Sequence, residues 1–397
     1  MNIFYKNIFN NLKCISLNFG PQHPAAHGVL RLVLNLNNEI VKNCDPHIGL
    51  LHRGTEKLIE NKIFIHSLPY FDRLDYVSTI IQENVYCLAI DKYFNIKNKS
   101  IINNTKIIFD ELTRILNHLL AISCHALDIG SMSTIFWSFE ERENIMEFYE
   151  RISGARMHTS LYKPILFDKI LNYKMSIDIL NFSINCFITL NEIHNVLTNN
   201  KVWKTRLVGI GLYNYNCVIN YGLTGIMARC VGVKRDIRLN VYTTYNNYNF
   251  INFNSYITNN GDSFDRYLLR MYEMLESLKI IIITINKFFD KNFFKNKIKV
   301  NNFFKKNTME LIINHFKYWG VGFKINKSIS STYVESPKGE FSITLFTDNS
   351  EKPYRCKIKS PSLQHLQFFK KLSKNIFLAD IVTLIGTIDI VFGEIDR

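Results

Sequence analysis

Gly20-Pro21-Gln22-His23-Pro24-Ala25-Ala26-His27-Gly28 sets two imidazoles in a stretch that cannot be regular secondary structure. Pro21 and Pro24 remove backbone donors and fix φ, while Gly20 and Gly28 admit backbone angles that other residues avoid. The segment therefore reads as a shaped loop, and loops on a rigid scaffold often carry function. The scaffold follows at once. Val29, Leu30, Leu32, Val33, Leu34 and Leu36 form a short apolar run, Asn37-Asn38 can make a tight turn, and Glu39 to Val41 begins a returning strand. A histidine loop carried on a hairpin is suited to gripping a ligand.

Outward from that hairpin, residues 14–48 read as a small sheet region and residues 53–200 as mainly helical. Arg114 to Leu127 places Ile115, Leu116, Leu119, Leu120 and Ile122 at helical spacing. Ser138-x-x-Glu141 is a capping-box pattern that would open the next helix, with Glu140, Glu141 and Glu143 suiting its positive end. From about Trp203 to Arg238 glycines recur among short strand-like runs, and an Asn/Tyr-rich insertion follows at 240–260. Leu268, Leu269, Tyr272, Leu275 and Leu278 predict a helix over Ser263 to Lys287, and the alternation of Phe341, Ile343 and Leu345 predicts a strand. There is no internal repeat. The reading is a single entwined domain over 1–397: an N-terminal β-region, a helical core, and helices with a C-terminal segment over 201–397.

Composition narrows the class. With 397 residues, 47% of them hydrophobic, the chain can bury a sizeable core. The formal charge of +14 traces to the abundant Lys of a sequence rich in Asn, Ile, Lys, Phe and Tyr, residues spelled by A/T-rich codons. Lys and Asn gather in weakly patterned segments such as Asp290 to Lys306, and no nucleic-acid motif interleaves aromatics with arginines. The first 19 residues hold Lys6 and Lys13 but lack the Arg/Ser-rich pattern of an imported organellar protein, so either the gene sits inside the organelle or the protein is bacterial, and the A/T-biased composition favours the organelle. The aliphatic run from Ile280 to Ile285 falls short of the ~20 apolar residues of a membrane helix. A peripheral protein follows.

The matching blocks begin where the loop runs on into Asp45-Pro46-His47-Ile48-Gly49-Leu50-Leu51-His52-Arg53-Gly54-Thr55-Glu56-Lys57. They continue through Pro69-Tyr70-Phe71-Asp72-Arg73-Leu74-Asp75-Tyr76, Thr113 to His118, Phe139 to Glu143, Glu150 to His158, Pro337 to Phe341, Pro353 to Lys359 and Ile385 to Arg397. In that order they resemble the quinone-pocket subunit of respiratory NADH:ubiquinone oxidoreductase, complex I, a family descended from the large subunit of nickel-iron hydrogenases. The resemblance runs from about Asn18 to the last residue. It implies a mainly α fold with a small α+β region, hydrogenase-large-subunit-like, in which a central helical bundle meets an N-terminal β-sheet carrying the histidine loop.

The hydrogenase relatives hold nickel and iron with two Cys-x-x-Cys pairs. Here the eight cysteines are Cys14, Cys44, Cys87, Cys124, Cys186, Cys217, Cys230 and Cys356, no two of them three apart. No metal is expected on this chain, and scattered thiols read most simply as small core residues. His118 and His125 stand ~10 Å apart along one helix, too far to share a metal.

Reducing a quinone takes two electrons and two protons, so its pocket needs hydrogen-bond donors that can be reprotonated. Tyrosine and histidine suit that task. The resemblance assigns the quinone headgroup to His27 and Tyr76, pairs His27 with Asp128, and leaves His23 a weaker part in shaping the loop. It sets Arg53, Arg73 and His158 near a terminal 4Fe-4S cluster bound by a partner subunit, where cationic side chains would raise the cluster's potential. The plainer alternatives are a solvated loop histidine, a core tyrosine on a helix starting near Pro69, a carboxylate ending a helix before Gly130, and surface salt bridges for the arginines. The resemblance further implies ubiquinone as substrate, an iron-sulfur partner together with other peripheral-arm and membrane-arm subunits, and a place on the matrix side of the mitochondrial inner membrane. The isolated chain should be inactive. A nickel-iron hydrogenase subunit, a ferredoxin-fed photosynthetic relative and a non-catalytic scaffold of the same assembly fit less well.

Overall fold

β1 (Cys14–Phe19), β2 (Arg31–Asn37) and β3 (Ile40–His47) form an antiparallel sheet in sequence order. The computed structural model describes residues 14–21, 29–96, 100–165, 169, 171–240, 248–290 and 308–397. On β2, Leu32, Leu34 and Leu36 are buried and the residues between them are more exposed, the period of two of a half-buried strand. The hairpin turns through Asn38-Glu39, with Asn38 at φ 55°. The loop with His23 and His27 lies outside the described residues, between strand ends that pair Phe19 with Leu32. Outside them too are the first 13 residues, 241–247 of the Asn/Tyr-rich insertion, and 291–306 of the Lys/Asn-rich segment.

The helical part begins with α1 (Thr55–Asn61), α2 (Leu68–Asp72), α3 (Thr79–Tyr93), α4 (Ser100–Ile129), α5 (Ser133–Ser153) and α6 (Tyr173–Thr198). α7 (Lys201–Leu207), α8 (Tyr215–Tyr221), α9 (Ile226–Arg229), α10 (Ser263–Asp290) and α11 (Met309–Gly320) follow. α4 packs along α5 and α10, and α10 along α6. α4 holds no Pro or Gly over its 30 residues, which span ~45 Å, and it ends at Gly130, whose φ of 111° stops the helix. Its buried face carries charge as well as Leu112, Ile115 and Leu119. Glu111 pairs with Arg114 and Arg238, and His118 with Glu273, which also binds Arg229 at 2.5 Å. Buried charges persist only when paired in this way.

A second antiparallel sheet is made by β4 (Ser328–Ser336), β5 (Gly339–Thr347) and β6 (Arg355–Lys359), and α12 (Pro361–Leu372), α13 (Leu378–Ile388) and α14 (Phe392–Asp396) complete the chain. Phe341, Ile343 and Leu345 point inward on β5 as their alternation predicts. One apolar cluster joins the helical bundle to this sheet, and a second joins the N-terminal sheet to α12, α13 and α14. The β3 strand is tied to the C-terminal segment, Val41 N–H donating to Ile376 O at 2.9 Å and Asn375 N–H to Val41 O at 2.8 Å.

Three expectations change. Ser138 is no cap: α5 starts at Ser133, and Ser138 Oγ donates to Ile135 O inside the helix at 3.0 Å. A capping box needs an extended residue, and helix already runs through this one. The 203–238 stretch contains α7, α8 and α9 and no strand; glycines at 209, 211, 222, 225 and 232, all at positive φ, break it into short helices. Tyr76 lies on no helix, since α2 stops at Asp72.

Candidate functional site at the 73–78 turn

The chain between α2 and α3 is bent by Asp75. Its Oδ1 accepts from Val77 N at 3.2 Å and Ser78 N at 3.4 Å, and its Oδ2 from Ser78 Oγ, the carboxylate standing in for a backbone turn. Asp75 is thereby fully buried, and Tyr76 beside it is 38% exposed. Partial burial, and then the Asp75 carboxylate, hold the Tyr76 phenol above its usual pKa, against the pull of Lys338. The hydroxyl is a protonated donor at neutral pH.

Two guanidinium groups flank this turn. Arg53 Nη2 donates to Arg73 O at 2.7 Å, and Arg73 Nη1 to Pro69 O at 2.8 Å. Both side chains are exposed, and among the described residues neither forms a salt bridge. The 157–160 segment closes against the same turn: Thr79 Oγ1 donates to Met157 O at 3.1 Å and Ser160 Oγ to Asp72 Oδ2 at 3.1 Å. His158 is half-buried there, and its charge would act on Asp72. Beneath it, Glu83 accepts from Thr159 Oγ1 at 2.9 Å and Tyr162 N at 2.9 Å. Burial raises the pKa of both Asp72 and Glu83, and the Asp72 charge raises that of Glu83 further.

Tyr76, Arg53, Arg73 and His158 thus gather about one turn. Asp128 is half-buried on the last turn of α4, and burial lifts its carboxyl to about 6. Cys124, one helical turn earlier, feels both Asp128 and Asp389. His27 and His23 lie outside the described residues, so their distances to Tyr76 and Asp128 do not enter the geometry. His118 and His125 are buried: His118 Nε2 meets Glu273 at 3.1 Å, while His125 packs its ring 5.0 Å from Trp203, and burial drives its pKa down to about 3. Among the described residues five cysteines are fully buried, as small core residues would be, and Cys124 and Cys217 are half-buried. Among the described residues no three His, Cys, Asp or Glu side chains converge as metal ligands.

Behind Tyr76 lies a cluster that sequence reading missed. Lys338 Nζ donates to Asp75 Oδ2 at 3.0 Å and to Asn117 Oδ1, and Asn117 Nδ2 donates to Asp389 Oδ2 at 2.7 Å. Glu394 is buried beside them, accepting from Ser362 Oγ. The available signal was charge inside apolar sequence, Ile388-Asp389-Ile390 and Phe392-Gly393-Glu394-Ile395.

Residues 128–397 match the family model described as the respiratory-chain NADH dehydrogenase 49-kDa subunit. The chain belongs to that family. Proteins named NADH-ubiquinone oxidoreductase 49 kDa subunit are similar to it over nearly their whole length. The one from Paramecium tetraurelia is 56% identical over 97% of this chain and 100% of its own. That from Cafeteria roenbergensis is 47% identical over 97% of each chain, and that from Reclinomonas americana 46% over 99% of each. The 49-kDa family is hydrogenase-large-subunit-like, consistent with the mainly helical body and two small antiparallel sheets. Among the described residues of this member, no helix is long and apolar enough to cross a membrane.

Proposed function

We propose that the chain forms half of a quinone-reducing pocket in respiratory complex I, against an iron-sulfur partner subunit, as one domain on the matrix face of the mitochondrial inner membrane. The observation that carries this reading is Tyr76, a protonated phenol on a turn locked by Asp75, next to two exposed guanidinium groups that no carboxylate of the described residues pairs with. In this reading ubiquinone receives electrons from the partner's terminal 4Fe-4S cluster. Tyr76 donates a hydrogen bond to one headgroup oxygen and His27, oriented by Asp128, to the other; His23 shapes the loop. Arg53, Arg73 and His158 face the cluster side and favour its reduced form electrostatically. Other peripheral-arm and membrane-arm subunits complete the assembly, and the gene is organellar.

Tyr76→Phe and His27→Ala in the assembled complex test this. Losing a ligand hydrogen bond costs ~0.5–1.5 kcal/mol, so quinone reduction should fall several-fold. NADH oxidation by artificial acceptors upstream should persist. Quinone kinetics equal to wild type in both variants would overturn the reading.

A further inference from the structure

The wall behind Tyr76 is largely buried, with only Asp389 partly reaching solvent, and its buried charges do not balance. Lys338 and Asp75 expose none of their side chains, and Lys338 Nζ stands 3.9 Å from Asp389 Oδ2. Asp389 also feels buried Arg270, which is anchored by donating to Thr387 O at 2.6 Å. Of the other titratable groups near Asp389, His118 is committed to Glu273, His365 on α12 is held neutral by burial, and Cys124 on α4 stays a thiol. Two buried cations, Lys338 and Arg270, therefore face three carboxyls, Asp75, Asp389 and Glu394, while the Arg53 charge stays in solvent. Ionising all three in a dry interior leaves one anion without a partner, so one carboxyl keeps its proton.

Glu394 is that carboxyl. Asp75 accepts from two backbone amides, a hydroxyl and the ammonium; Asp389 accepts from Asn117 and faces both cations. Glu394 has Ser362 on Oε1, while its buried Oε2 meets no hydrogen-bond donor among the described residues. An ionised Glu394 would carry a bare charged oxygen; a neutral one leaves only a hydroxyl. The charged groups facing it are Asp75 and Lys338, with Arg53 Nη2 near Gly393. Burial first, and then Asp75, raise its pKa to about 8.

We infer that Glu394 is the proton reserve of the quinone site, recharging Tyr76 through the Asp75–Lys338 pair. The inference rests on the quinone reading proposed above. As two electrons reach the quinone, the Tyr76 O–H bond breaks, its proton goes to a quinone oxygen, and a phenolate remains. The Glu394 O–H bond then breaks, a proton enters the Asp75–Lys338 pair, and one leaves it to remake the Tyr76 hydroxyl. Glu394 is left as a carboxylate until a proton from solvent, entering the cluster at the partly exposed Asp389, restores it. The relay runs downhill, because a carboxyl near 8 is a stronger acid than the phenol. Glu394 acts through Tyr76 and does not touch the quinone.

The test is the pH dependence of NADH:quinone reductase activity in the assembled complex, with NADH:ferricyanide activity as the measure of assembly. Wild type should lose quinone reduction as pH rises through about 8, where the reserve empties. Glu394→Gln should be slower by about tenfold or more at neutral pH and lack that limb. Ser362→Ala removes the hydroxyl that favours the carboxylate, so its limb should move to higher pH. Difference infrared spectra should show a protonated carboxyl at neutral pH that Glu394→Gln abolishes. A wild-type limb in Glu394→Gln overturns the inference, as does an unshifted limb in Ser362→Ala should Glu394→Gln fail to assemble. If Tyr76→Phe is slowed while both of these variants behave as wild type, only this inference falls. If Tyr76→Phe is itself unaffected, the quinone reading falls first.

Discussion

Lys338 Nζ and Asp75 Oδ2 stand 3.0 Å apart with neither side chain reaching solvent. The pair joins the β4–β5 hairpin to the turn that displays Tyr76, so a residue far along the chain holds the candidate site in place. Removing one partner strands a buried charge. Lys338→Met should therefore destabilise by about 3–5 kcal/mol. Lys338→Met with Asp75→Asn should recover part of the loss. Thermal inactivation of the assembled complex measures both, and a double variant no better than the single would show that the ion pair is not what holds the turn.

The hairpin that carries Lys338 depends on two glycines. Gly339 has φ 141°, and a Cβ there would lie 2.6 Å from Thr224 Oγ1; a Cβ on Gly225 would lie 2.6 Å from Gly339 Cα. Gly339→Ala should cost about 1–3 kcal/mol through backbone strain and lower quinone reduction by displacing Lys338. Assembly yield and residual activity report the two effects separately, and unchanged values for both would refute the constraint.

Arg53 and Arg73 carry charge that no carboxylate of the described residues pairs with. On the proposed reading, replacing either with Met should lower the partner cluster's midpoint potential. A unit charge at ~8 Å with an effective dielectric of ~20 contributes about 2 kcal/mol, several tens of millivolts for one electron. Arg→Lys should restore most of the shift. Redox titration followed by electron paramagnetic resonance decides it; potentials equal to wild type in the Met variants would remove these residues from the cluster side.

Asp128 has a folded pKa of about 6, raised by burial above its ordinary value. For an acid raised on folding, the native state binds the proton more tightly than the unfolded chain. Its contribution to stability is thus largest in acid and is lost as pH climbs toward and through 6. Asp128→Asn should flatten the stability profile between about pH 4 and 6 and gain most, relative to wild type, above it. Thermal inactivation at stepped pH checks this, and a variant profile parallel to wild type would contradict the assignment.

Local pattern made much of the fold legible. The β2–β3 hairpin is written in Leu32, Leu34, Leu36 and the asparagine turn, and α4 and α10 in their apolar periodicity, because each depends on residues a few positions apart. The family blocks were legible for the same reason. Where glycines dominate, as over 203–238, the short apolar runs gave the wrong element: a run of that length suits strand and helix equally, and neighbouring packing chose helix.

Sequence alone thus fixed the family, the first hairpin and the long helices, because each is written in neighbouring residues. Only the tertiary structure decided that Lys338 reaches Asp75 across 263 positions of sequence and Asn117 reaches Asp389 across 272. Long-range electrostatics has no local signature. A buried lysine and a solvated one look alike in sequence, and it is the closing of α4, α13, α14 and the β4–β5 hairpin about one largely buried space that brings five scattered polar residues together.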